Sequence, residues 1–134
     1  MNPDQYAALV AALHEHVAGI NAQTAAVELL AAHRVWLPRA DFAPFLQHGR
    51  CHATHLPMAA IRWRAAHTAL QRGQLPCSSS EADVLRIAAS LAAGVPISLR
   101  HVLGNLDQHN IAHVIQAIGI ANDTWPIAST KDTR

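Results

Sequence analysis

Charged side chains are scarce: Asp, Glu, Lys and Arg make up 14% of the 134 residues, against about a quarter in an average soluble domain. With hydrophobic residues at 51%, the chain has too much apolar surface to remain a solvated coil, so a folded globular domain is expected. Cysteine is nearly absent too. Cys51 and Cys77 are too few for a disulfide framework, and two reduced thiols fit an intracellular protein better than one bridge. No apolar run approaches the roughly 20 residues needed to cross a bilayer, and the amino terminus lacks the basic-then-apolar pattern of a secretory signal. The expectation is a cytoplasmic protein with no membrane partner. There is no Walker loop, no Gly-x-Gly-x-x-Gly and no clustered carboxylate pair, which leaves phosphoryl transfer, dinucleotide chemistry and glycoside hydrolysis without the groups they need.

What is present is alanine, 27 times, with few alternating β-branched runs. Local propensity therefore favours helix throughout. The expected fold is all-α, a compact single-domain bundle of about five main helices plus one or two short ones. It occupies residues 1–128, with 129–134 a flexible tail. Asn2, Pro3 and Gln5 supply an N-cap, a proline at the first helical position and a residue reaching back to the cap. Tyr6, Leu9, Val10, Leu13 and Val17 follow as one helical face, ending near Gly19. A second helix spans 22–36 with a stripe through Ala25, Ala26, Leu29, Leu30, His33 and Trp36, broken by Pro38. Asp41 opens a short helix carrying Phe42 and Phe45 and stopping at Gly49. Residues 49–56 read as a loop. Pro57 opens a helix to Arg72 with Met58, Ile61, Ala65 and Ala69 on one face. Ser78 and Glu81 form a capping box for a helix ending at Gly94. Ser98 caps a single turn to Leu103, and Asp107 caps a last helix whose expected buried face is Ile111, Val114, Ile115 and Ile118.

The net charge of +1 conceals an uneven layout. Residues 1–33 hold Asp4, Glu15 and Glu28 with no Lys or Arg, whereas 34–75 hold six arginines (34, 39, 50, 62, 64 and 72) against Asp41 alone. Ten histidines add charge as pH falls through the imidazole range.

Several stretches resemble small uncharacterised helical proteins of high-GC actinobacteria and their mobile elements. They are Trp36-Leu37-x-Arg39-x-Asp41-Phe42, Ile61-x-Trp63, the run from Leu85 to Gly94 with Val95-Pro96, and Leu106-Asp107-x-x-Asn110-Ile111. The resemblance spans roughly residues 36–111 and implies a helical fold without an activity.

Three groups of residues carry candidate chemistry. Arg50, Arg62, Trp63 and Arg64 in the basic segment 34–75 are placed to meet phosphate and suggest a nucleic-acid partner; the plainer reading is a solvated basic face. His48, Cys51, His52 and His55 put four zinc-type ligands within eight residues, although no second Cys or His pair at zinc-ribbon spacing follows them. His109 and His113 stand four apart on a helix, but the glutamate of a metalloprotease helix is missing between them. No cofactor is expected outside that zinc alternative, and no oriented base serves either cysteine. The sequence reads best as a non-enzymatic helical interaction or regulatory module that contacts a protein partner or itself. Trp36, Trp63 and Trp125 are its candidate anchors.

Overall fold

The computed structural model describes residues 1–124; Trp125 and the expected tail lie outside them. Six helices and a two-stranded antiparallel sheet follow in the order α1 (Pro3–Val17), α2 (Asn21–His33), β1 (Leu46–Arg50), β2 (Pro57–Ile61), α3 (Trp63–Gln71), α4 (Ser79–Ala93), α5 (Leu99–Gly104) and α6 (Gln108–Ala121). A 3₁₀ turn, Ala43–Phe45, leads into β1. α2 is the central helix, flanked by α4 and α6, while α1 crosses β2 and joins the hairpin to the helical layer.

The helix starts follow local chemistry. Asn2 and Gln5 form a capping box at α1, Ser78 and Glu81 form one at α4, and Ser98 and Asp107 cap α5 and α6 through their side chains. Each satisfies N–H groups that the first helical turn leaves without partners. Gly94 ends α4 at φ 68°, a left-handed conformation that glycine adopts without Cβ strain.

α2 ends earlier than the apolar stripe suggests, because Arg34 turns left-handed at φ 63°. Residues 34–42 then fold inward as irregular chain and bury Trp36, Leu37 and Phe42 in the core. The Trp36 indole N–H donates to the Glu81 carbonyl at 3.0 Å, satisfying a polar group that burial would otherwise penalise. The Arg39 guanidinium stacks 4.6 Å from the Trp36 ring and is held by Asp41. Trp36 therefore serves the core and is not an exposed anchor.

The all-α expectation is corrected by the hairpin. Residues 46–50, expected to close a helix at Gly49, form β1, and residues 57–61, expected to open a helix at Pro57, form β2. Five residues are too few for a 3.6-residue period to be told from a 2-residue one. In β2, Ala59 and Ile61 alternate inward, and α1 packs on that strand. Pro57 fits because it begins β2 opposite Arg50, at a rung where no hydrogen bond across the pair is needed.

α6 also departs from its expected face. Its buried residues are Asn110, Val114 and Ala117, and Asn110 donates to the Ser80 hydroxyl at 2.8 Å. Ile115 and Ile118 are 55% and 51% exposed. The helix is thus rotated so that Asn110 and Ala117, with the expected Val114, make the close contact with α2 and α4.

Candidate functional site

An apolar groove of about 630 Å³ lies between α1, the chain at 37–43 and the hairpin. Ala8, Leu9 and Ala12 form one wall, Leu37, Pro38 and Ala43 another, and Leu46, His48 and Pro57 border it from the hairpin. The same β1 residues carry a second feature. Cys51 N–H donates to the Leu56 carbonyl at 2.9 Å and Arg62 N–H to the Phe45 carbonyl at 2.8 Å, so both ends of the hairpin are hydrogen-bonded rungs. Such rungs alternate along an antiparallel pair. Gln47/Ala60 and Gly49/Met58 are therefore bonded, and Leu46, His48 and Arg50 turn their backbone groups away from β2. No other strand pairs with β1 among the described residues, and Gln47 to Arg50 are exposed. A groove suited to apolar side chains thus lies beside an unpaired backbone edge.

The basic residues are divided by this hairpin. Arg50 sits at its turn end, where the guanidinium donates to the His55 carbonyl at 2.9 Å. Arg62 follows the opposite end of β2, about 16 Å away along five extended residues. Arg64 donates to the Ala93 carbonyl at 2.6 Å, at the C-terminus of α4 where the helix dipole favours a cation. Trp63 is half-buried against the core. Arg62, Trp63 and Arg64 are thus neighbours, and Arg50 is apart from them.

The metal candidates follow a similar division. His48 lies within β1, Cys51 directly follows it, and His52 and His55 occupy the turn, His55 at φ 61°. No group of three or more His, Cys, Asp or Glu side chains placed to hold a metal ion occurs among the described residues. The Cys51 thiol is held below its usual pKa by the Thr54 side chain and, secondarily, by the Thr54 and Ala53 backbone. On α6, His109 is exposed, whereas His113 is half-buried in a small cleft with Glu28 and Leu29 of α2.

One polar feature had escaped the sequence reading. Asp83 is fully buried on α4, and its Oδ1 accepts from Arg86 at 2.7 Å; Arg86 in turn reaches Gln71 of α3. The i, i+3 spacing of Asp83 and Arg86 was the available signal. His33, expected on the packed stripe of α2, is half-buried, and its Nδ1 has no partner among the described residues. Burial pushes its pKa down, opposed by Glu81 and Asp107 and reinforced by His113.

No protein-family model, curated protein or solved structure matches this chain.

Proposed function

We propose that the protein is a non-enzymatic interaction module that works through contact with another polypeptide or with itself. The observation that carries this reading is the apolar groove flanked by the open edge of β1. An added extended chain can take backbone hydrogen bonds from such an edge while placing alternate side chains in the adjoining groove. The candidate arginines offer less: Arg50 stands apart from Arg62 and Arg64, and Arg50 and Arg64 already donate to backbone carbonyls. No helix of the described residues is long and apolar enough to cross a membrane.

The test combines two measurements on the full chain. Weight-average mass is followed over about a hundredfold range in concentration, equivalent to about 2.7 kcal/mol in binding free energy. In parallel, a random peptide display library is selected against the wild type and against Ala8→Glu/Ala43→Glu, which charges two exposed groove positions. The reading expects association, selected peptides, or both, and their loss in the variant. A chain that stays monomeric and selects no peptide contradicts it.

A further inference from the structure

We infer that the open edge of β1 is completed by a second copy of this chain, the two β1 strands pairing antiparallel about a two-fold axis at His48 to make one four-stranded sheet. This rests on the interaction reading above and specifies its partner.

The backbone inventory fits such a pairing. On the outward side of β1, His48 and Arg50 offer N–H groups, and Leu46, His48 and Arg50 offer carbonyls. The Leu46 N–H is already given to the Ala43 carbonyl. With the axis at His48, the two His48 residues exchange a pair of hydrogen bonds. Each Arg50 N–H then donates to the Leu46 carbonyl of the other copy. Every outward donor of the strand is satisfied.

Among axes placed at an outward-facing residue, charge and donor supply single out His48. β1 reads Leu-Gln-His-Gly-Arg, so its single formal charge stands at one end. An axis at Arg50 would set two guanidinium groups directly opposite each other, which destabilises a cross-strand pair. An axis at Leu46 would oppose two residues whose N–H groups are spent on the 3₁₀ turn. At His48, Arg50 instead lies beside Leu46 of the second copy. The two guanidinium groups are then about 13 Å apart along the strand direction, beyond the roughly 8 Å over which charges act at physiological salt. The strand also lacks the proline, lysine or bulge with which solitary edges commonly resist pairing.

The groove gains from the same arrangement. Residues directly opposite in an antiparallel pair share one face of the sheet. The Leu46 and His48 side chains that border the groove therefore meet their counterparts on the groove side, and both grooves open on one face of the joined sheet. A five-residue strand pair alone falls short of the roughly 800 Å² per partner of a standard interface. The rest of the contact falls to the groove rims, which the pairing brings to one face.

The experiment is sedimentation equilibrium of the full chain at neutral pH, for the wild type and three variants. His48→Pro removes the N–H at the axis but no bond of the hairpin, because His48 is at an outward rung. His48→Lys sets two like charges at the axis and covers the case in which proline disturbs the strand, with circular dichroism reporting the fold of each. Ile115→Glu/Ile118→Glu charges an exposed apolar pair elsewhere, on α6. The expected result is a concentration-dependent dimer, weakened at least tenfold, about 1.4 kcal/mol, by folded His48→Lys and unaffected by the α6 variant. A dimer that ignores the His48 variants and is lost in the α6 variant overturns the β1 assignment. A monomer that still selects display peptides overturns the second copy as partner while the interaction reading survives. A monomer that selects none overturns both.

Discussion

Replacing Arg86 by methionine tests how the buried carboxylate of α4 is tolerated. Asp83 has no exposed surface, its Oδ1 is held by Arg86 at 2.7 Å, and its Oδ2 has no partner among the described residues. Arg86→Met leaves that charge in the core with neither a cation nor its one charged hydrogen bond. Removing one member of a buried pair costs about 3 kcal/mol or more; the partly exposed Arg86 side chain favours the lower figure. Unfolding entropy of about 2.1 cal/mol/K per residue, over 134 residues, makes that a fall in Tm of about 11 °C. The diagnostic comparison is Asp83→Asn/Arg86→Met, which removes the charge while keeping the shape. It should recover about 2 kcal/mol of the loss in a double-mutant cycle. Urea unfolding followed by circular dichroism supplies the energies. A single variant within about 1 kcal/mol of wild type, or a double variant no more stable than the single, would refute the reasoning.

Three further outcomes follow from the fold. Burial is the chief cause that lowers the His33 pKa, and burial with Arg86 beside it lowers that of His67. Their folded-state pKa values are lowered, so the unfolded chain binds more protons as pH falls. Stability should be full above the ordinary imidazole value of about 6.5 and decline below it; His33→Gln should flatten the pH dependence of the urea midpoint. Ser78→Ala removes the acceptor for the Glu81 N–H and should cost about 1 kcal/mol by the same assay. On α6, Ile118→Gln should change stability by less than about 0.5 kcal/mol. Val114→Ala, at a buried position, should cost about 1 kcal/mol or more through the space it leaves.

The parts of the fold legible in the sequence were those with local causes. The pairs Asn2/Gln5 and Ser78/Glu81, and the caps Ser98 and Asp107, act within one helical turn, and the structure bears each out. The hairpin escaped because its cause is distant. Met58, Ile61 and Ala65 have helical spacing, yet Ala59 and Ile61 are drawn to α1 as alternate strand residues. Trp36 escaped for a related reason: Arg34 ends α2, and the indole is placed by Glu81, 45 residues on. α6 shows the limit of reading by hydrophobicity alone. Ile111, Val114, Ile115 and Ile118 make a persuasive stripe, but the Asn110–Ser80 hydrogen bond and the small Ala117 set a different rotation. Of the candidate site, the sequence pointed to His48 and Arg50 as ligands for a metal or phosphate. Their outward backbone groups, which make the edge, became apparent only once β1 and its register were known.

Amide hydrogen exchange resolved at single residues, at low and high protein concentration, tests the β1 assignment most directly. The Gln47 and Gly49 amides lie in rungs of the hairpin and should be protected at both concentrations. The His48 and Arg50 amides face outward and should exchange freely in dilute protein, then gain protection together with the Leu46–Arg50 pairing as concentration rises. Free exchange at His48 and Arg50 in a sample shown to be dimeric would contradict the account.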